Sequence, residues 1–393
     1  MIPFIDLIAQ RKAYLQELEL AEKTVLDSGC YIGGREVMAL ETEISAFCGA
    51  KNVIACGSGT DALTIALMAL GIRPGDEVIV PDFTFIAPAE SVALLGGIPK
   101  FADIDPETLQ VSPESVEALI SPATKGIIGV DLFGQCAPFG RLREIARRHG
   151  LWTLEDAAQA FGATTLRDLQ DLTVSKAATP NPTVKACTLA DMSITSFYPS
   201  KPFSCYGDGG AVFTADAELA RRARQIANHG SSARYLHETV GMNSRLDALQ
   251  ASILRVKLRH LTEELERRRA NARLYDQFFS TVPGVVPQKL ASGNSSTYAQ
   301  YTLLVEDRES FIKKLEQAEI PYCIHYPRAL HRQPCFAECG RTVYACGSSS
   351  VLNCEAAPAA KNNADIACEK VISLPFCAFT DVKKIIEKLS AVL

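Results

Sequence analysis

Apolar positions along this chain change period repeatedly, and each change marks an element. From Val37 to Cys48 they recur at helical spacing, and the run Lys51–Cys56 that follows reads as a short strand. Gly57-Ser-Gly-Thr60 then opens a second helix, Asp61–Leu70, which stops at Gly71. A buried strand Glu77–Pro81, a largely helical stretch Phe85–Leu95 and a strand Pro99–Ile104 come next. Lys125–Asp131, a helix through His149 and Leu151–Glu155 continue the alternation. Strands alternating with helices over more than about 100 residues imply an α/β sheet covered on both faces. Ligands of such sheets bind at the carboxyl ends of the strands.

Two stretches break the rhythm. Residues 163–190 are polar and proline-bearing, and read as an inserted surface loop. Residues 336–365 turn to Cys, Gly, Ser, Ala and Asn with little periodicity, and read as a second, irregular insertion. Between them an amphipathic helix is predicted from Ser244 to about Phe279, bridging to a second domain. That domain holds a strand Ala299–Val305, a helix Arg308–Ala318 and a last helix ending at Leu393. The division drawn from this pattern is 1–250 for the large domain and 251–393 for the small one.

Composition narrows the class without choosing a function. The chain has 393 residues, 47% hydrophobic and 22% charged, which is an ordinary globular balance at a two-domain length. A net charge of −5 with no dense Lys/Arg block gives no footprint for nucleic acid. Arg221-Arg222-Ala-Arg224 reads as a solvated helix face. No signal-peptide pattern opens the chain and no apolar run nears the roughly 20 residues of a membrane span, so a cytoplasmic location is expected. The 13 cysteines include no CxxC pair. His331, Cys335, Cys339, Cys346 and Cys354 come nearest to a metal pattern, but their spacings fit no common zinc module, and no metal is expected.

Lys201 changes the picture. It stands in Ser196-Phe-Tyr-Pro-Ser-Lys201-Pro-Phe, flanked by prolines and followed by Gly207-Asp-Gly-Gly210, a loop that holds one amine still. Upstream, Asp156 ends an apolar strand in Glu155-Asp156-Ala-Ala-Gln159. A fixed amine with a partner carboxylate is what pyridoxal phosphate (PLP) requires, the carboxylate serving the ring nitrogen. Without Lys201, Asp156 reads rather as a helix cap or an ion-pair member. Gln159, one helical turn on, is placed to pack beside such a ring. Ser58-Gly59-Thr60 lies between a strand and a helix, where small residues and free N–H groups suit a phosphate; Ser58 or Thr60 as a plain helix cap is the alternative. Phe85, after another strand end, suits stacking on a flat ring, although a core phenylalanine is the commoner fate.

Together with Gly241-Met-Asn243-Ser-Arg245-Leu-Asp247 and Pro81-Asp-Phe-Thr-Phe85, these segments resemble the DegT/StrS-type nucleotide-sugar aminotransferases, a branch of the fold type I PLP enzymes. The resemblance runs from Ile2-Pro-Phe-Ile-Asp-Leu7 to Ser373-Leu-Pro375. It implies a large mixed-sheet α/β/α domain with a smaller C-terminal α+β domain. Lys201 is then the Schiff-base lysine, Asp156 the partner of the pyridine nitrogen, Phe85 the stacking aromatic and Gln159 the neighbour of the cofactor's hydroxyl side. Ser58, Gly59, Thr60 and Ser196 would hold the phosphate. Asn243 would reach the phosphate of a neighbouring subunit, making a homodimer with shared sites. The implied reaction moves an amino group from glutamate to a nucleotide-linked keto-sugar.

Ser196–Pro202, Asn243–Asp247 and Ile324-His325-Tyr326-Pro327 look most like the WbpE-type branch, which aminates C3 of UDP-linked 3-keto-N-acetylglucosaminuronic acid for O-antigen. There Arg245 suits the uronate carboxylate, with an ion pair to Asp247 as the alternative, and His325 and Tyr326 would complete the sugar site. A neutral 3- or 4-keto sugar remains open as substrate, as does a non-catalytic PLP- or sugar-binding regulatory protein. The related PLP-dependent sugar dehydratases carry histidine where this chain has Lys201. Both insertions are longer than that branch leads one to expect.

Overall fold

The apolar runs become strands of one mixed sheet. The computed structural model of the chain describes residues 2–166, 183–337, 343–346, 350–353 and 361–393. In chain order the strands are β1 (Asn52–Cys56), β2 (Glu77–Pro81), β3 (Ile98–Ala102), β4 (Thr124–Val130) and β5 (Trp152–Asp156). A small pair, β6 (Thr164–Leu166) and β7 (Thr183–Lys185), precedes β8 (Met192–Ser196) and β9 (Gly210–Thr214). The hairpin β10 (Ser231–Ala233) and β11 (Leu236–His237) follows, then β12 (Val285–Pro287), β13 (Tyr301–Val305), β14 (Val343–Cys346), β15 (Ser350–Asn353) and β16 (Val371–Leu374).

The large sheet has the order β1-β9-β8-β5-β4-β2-β3-β14-β15. Neighbours from β8 across to β14 run parallel, whereas β9 is antiparallel to both β8 and β1. Side chains alternate between the two faces, as a pleated strand requires. Val53 and Ala55 enter one core while Ile54 and Cys56 enter the other. Covering both faces with helices explains why these strands read as near-continuous apolar runs. The helix Ala248–Phe279 serves two cores: Leu254, Leu261 and Leu265 pack under the large sheet. Its far end, with Ala272, Tyr275 and Phe279, packs on the three-stranded sheet β12-β13-β16.

Two sequence expectations shift. The long helix begins at Ala248, with Asp247 extended at the N-cap position, so Ser244–Asp247 is not helical. The stretch read as an irregular insertion supplies β14, parallel to β3, and β15, antiparallel to β14. An edge hairpin of this kind is selected by the strand it pairs with, so periodicity does not reveal it. Within that stretch, 338–342, 347–349 and 354–360 lie outside the described residues, as does 167–182 of the first insertion. The ends of the first insertion are fixed by antiparallel pairing of Leu166 with Thr183.

Candidate active site at the carboxyl ends of the strands

Strands β5 and β8 run parallel and end in Asp156 and Ser196, which brings the two central motifs to one edge of the sheet. Lys201 sits at the tip of the loop that leaves β8. The base of that loop is closed by Phe197 N–H to the Gly209 carbonyl at 2.8 Å and Cys205 N–H to the Phe197 carbonyl at 2.8 Å. The Cys205 thiol adds a bond to the same Phe197 carbonyl at 3.1 Å. Within the tip, Lys201 N–H donates to the Tyr198 carbonyl at 2.9 Å. Burial pulls the Lys201 amine below the usual lysine range, and the Asp156 charge opposes that pull.

Asp156 is buried, and burial raises its carboxyl above the usual range. The Ala158 N–H, at 3.0 Å from Oδ1, and the Lys201 charge act the other way. Its neighbour Glu155 faces the opposite side of the sheet, where it accepts Cys187 N–H at 2.8 Å, Leu189 N–H at 3.0 Å and the Ser193 hydroxyl at 2.6 Å. Glu155 therefore ties the return of the first insertion to the strand that presents Asp156. Burial, reinforced by Glu155, pushes the nearby Asp131 carboxyl well up. Asp131 N–H in turn donates to the Asp156 carbonyl at 3.0 Å.

The helix Gly59–Leu70 starts beside Ser196. Ser58 caps it by accepting Asp61 N–H at 3.0 Å, so the simple capping role holds for that acceptor. Among the described residues the amides of Gly59 and Thr60 have no hydrogen-bond partner. Two free amides at a helix start form an anion site. The approach is close: a Cβ on Gly59 would lie 2.7 Å from the Ser196 Cβ, and one on Gly210 would strike the Ser58 carbonyl. This glycine-lined cradle, one buried carboxylate and one depressed amine fit a flat, phosphate-bearing molecule with a cationic ring nitrogen, such as PLP.

Around this centre Phe85 is 51% exposed, unlike its buried neighbour Phe83, so an apolar ring faces the opening. Its ring centroid is 6.1 Å from that of Tyr326. Gln159, in a turn rather than a helix, accepts Phe133 N–H at 2.6 Å and donates to the Tyr326 hydroxyl at 3.3 Å. Burial raises the Tyr326 hydroxyl above the usual phenol range. His325 Nδ1 lies 3.0 Å from the Ser373 hydroxyl. Burial, with the Lys201 charge second, lowers the His325 imidazole to about 4.

The extended stretch after Gly241 alternates. Ser244 and Leu246 are buried, whereas Asn243, Arg245 and Asp247 are exposed. Ser244 reaches inward, donating to Asp61 at 2.7 Å and accepting Gly57 N–H at 2.9 Å. Among the described residues Arg245 has no hydrogen-bond or ion-pair partner, Asp247 included. The geometry thus gathers Ser58, Gly59, Thr60, Phe85, Asp156, Gln159, Ser196, Lys201, His325 and Tyr326, and leaves Asn243 and Arg245 facing outward. Sequence reading missed Ser244, whose partner Asp61 is 183 positions away. It also missed the buried bond between His331 and Asp82, 249 positions apart. A separate cavity of about 700 Å³ opens between Phe139, Arg141 and Leu189, and none of the candidate residues lines it.

The sequence profile of the DegT/DnrJ/EryC1/StrS aminotransferase family matches residues 14–390. A UDP-2-acetamido-2-deoxy-3-oxo-D-glucuronate aminotransferase from Pseudomonas aeruginosa is 46% identical over 338 residues, 86% of this chain and 89% of that one. A DegT DnrJ EryC1 StrS aminotransferase from Brucella abortus, known as a crystal structure, has a TM-score of 0.86 at 37% identity and covers 100% of this chain and 99% of its own. NtdA from Bacillus subtilis, solved with bound cofactor PMP, has a TM-score of 0.81 at 28% identity and covers 97% and 82%.

Proposed function

The chain belongs to the DegT/DnrJ/EryC1/StrS aminotransferase family, whose members are PLP enzymes of fold type I, and from that premise we propose its substrate, its site residues and its assembly. The reaction moves an amino group from glutamate to C3 of a UDP-linked 2-acetamido-3-keto-glucuronate, for surface polysaccharide such as O-antigen, in the cytoplasm. Glutamate leaves as 2-oxoglutarate and the keto-sugar leaves as the amino-sugar, so nitrogen and charge balance. What carries this reading is the pairing of a buried carboxylate with a depressed amine beside a glycine-lined anion cradle. The 46% identity to a 3-oxo-glucuronate aminotransferase supports the choice of sugar.

PLP supplies an electron sink for the bond cleaved at the amino-bearing carbon. Lys201 would carry the cofactor and, when released, move the proton; burial, by lowering its amine, favours the neutral form that this needs. Asp156 holds the positive charge at the ring nitrogen. Gly59 and Thr60 N–H with the Thr60, Ser58 and Ser196 hydroxyls hold the phosphate, Phe85 backs the ring, and Gln159 sits at its hydroxyl side. Residues 1–250 supply this cofactor side, and 251–393 supply His325 and Tyr326 toward the sugar.

Arg245 would bind the uronate carboxylate, and Asn243 would reach the site of a second copy, giving a homodimer with shared sites. Supporting this, both are exposed beside Tyr31 and Ile32, which are 49% and 51% exposed and tied to the same stretch through Ala248 N–H and the Ile32–Asp247 bridge. Among the described residues no helix is long and apolar enough to cross a membrane. The decisive assay offers glutamate with UDP-linked 3-keto sugars that do or do not carry the C6 carboxylate, and measures amino-sugar by mass spectrometry. Preferred turnover of the uronate is expected. Equal or better turnover of the neutral sugar overturns the substrate assignment, and no 2-oxoglutarate with any sugar overturns the donor.

A further inference from the structure

Two aromatic side chains flank the candidate site, and one buried pair anchors the segments that carry both. Phe85 follows closely on Asp82 at the end of β2, and Tyr326 closely precedes His331. Asp82 is fully buried, and three donors from the C-terminal part of the chain converge on its carboxylate. Oδ1 accepts His331 N–H at 2.9 Å; Oδ2 lies 2.6 Å from His331 Nδ1 and accepts the Asn362 amide at 2.9 Å. The Asp82 carbonyl also accepts Leu330 N–H at 2.8 Å. His331, 7% exposed, has its Nε2 3.8 Å from Asp365, and Asp365 is gripped by the Arg332 guanidinium.

The same junction continues into the site. Phe83 is buried between Phe133 and Tyr326, with ring centroids 6.3 and 6.2 Å away. Phe133 N–H holds Gln159, and Gln159 holds the Tyr326 hydroxyl. A shift of the 329–331 segment against β2 therefore moves Tyr326 against Phe85, and no bond among those described joins these two rings directly. Misplacement by about 1 Å at a site of this kind can cost on the order of a hundredfold in rate.

We propose that Asp82 and His331 form a positioning pair that sets the separation of Phe85 and Tyr326, and so the fit of the cofactor between the two segments. This rests on the reading of Phe85 as the residue that backs PLP. The bond that matters runs from the Nδ1 side of the imidazole, because that nitrogen faces Asp82 while Nε2 faces Asp365.

Asparagine places its amide near Nδ1 of histidine, and glutamine near Nε2, so the two substitutions separate the bonds. PLP is titrated into the apo full-length protein, with binding followed by quenching of intrinsic fluorescence and folding by thermal melting. His331→Asn is expected to hold PLP within about threefold of the unaltered protein, and His331→Gln to weaken it roughly tenfold with melting little changed. Equal affinities for the two variants overturn the pairing, since a merely space-filling histidine would not tell them apart. Should His331→Gln not fold, Asp82→Asn carries the same test; an unaltered affinity there is equally fatal. Phe85→Ala runs alongside. If it leaves PLP binding unchanged, the reading of Phe85 fails and takes the proposal with it. If it weakens binding while His331→Gln does not, only the positioning pair is wrong.

Discussion

The hydroxyl of Ser244 donates to the Asp61 carboxylate at 2.7 Å while accepting the Gly57 amide at 2.9 Å. One side chain thereby fastens the stretch carrying Asn243 and Arg245 to the turn that opens the helix at Gly59. Ser244→Ala strips a partner from each group, a loss of about 1–3 kcal/mol. The melting temperature should fall by several degrees, and PLP affinity of the apo protein should fall with it. A drop in melting alone would limit Ser244 to holding the fold.

The cradle predicts different outcomes for its two glycines. Gly59→Ala favours the helix by up to about 1 kcal/mol but presses on Ser196. PLP binding should weaken while melting hardly changes. Gly210→Ala collides with the Ser58 backbone, which cannot rotate away, so both should suffer. Undiminished PLP affinity in both variants would remove the phosphate from this cradle.

His325 sets an acid limit. Its imidazole is lowered from 6.5 to about 4 in the folded chain, so the unfolded chain binds the extra proton first. The stability this contributes is complete above pH 6.5 and is lost as the pH falls toward 4, at most about 3 kcal/mol. His325→Asn keeps a group near Nδ1 for Ser373 and removes the titration. Urea unfolding between pH 7 and 4 should then show a shallower decline for the variant; parallel curves would contradict the depressed value.

Lys201 and His325 repel each other when both are charged, and this can be read spectroscopically. In Lys201→Ala the His325 ring signals should titrate higher than about 4, yet still below 6.5, because burial persists. The same variant should lose amino transfer altogether while binding PLP without a covalent bond. A variant that turns over normally would disprove the assignment of Lys201.

For Arg245→Ala the expected loss is unequal. An exposed guanidinium without a partner in its own chain is available for a carboxylate, so turnover of a uronate sugar should fall by about tenfold or more, and of a neutral sugar far less. Equal losses would assign Arg245 to the fold or to the subunit contact.

Much of this was legible because the signals are local. Ser58–Thr60, Asp156 and Ser196 each end or follow an apolar strand, and parallel pairing of β5 with β8 necessarily brings two of those ends together. Periodicity failed where tertiary bonds override it. Leu246 and the apolar residues beyond it suggested a helix from Ser244, but the Ser244 bonds to Gly57 and Asp61 hold that stretch extended. His331 was grouped in the sequence with nearby cysteines, and nothing there pointed to its bond with Asp82. Side-chain bonds across hundreds of positions leave no periodic trace.

The antiparallel pairing of Leu166 with Thr183 has a practical side. Two chain ends held one strand spacing apart, at the surface and anchored behind by Glu155, form a port into which other chain can be spliced. Closing a longer loop across such a port adds only about 0.6 kcal/mol for each doubling of its length. A fluorescent domain or an affinity handle exchanged for 167–182 would be carried by the β6–β7 pair, whose return strand leads into the residues that Glu155 holds.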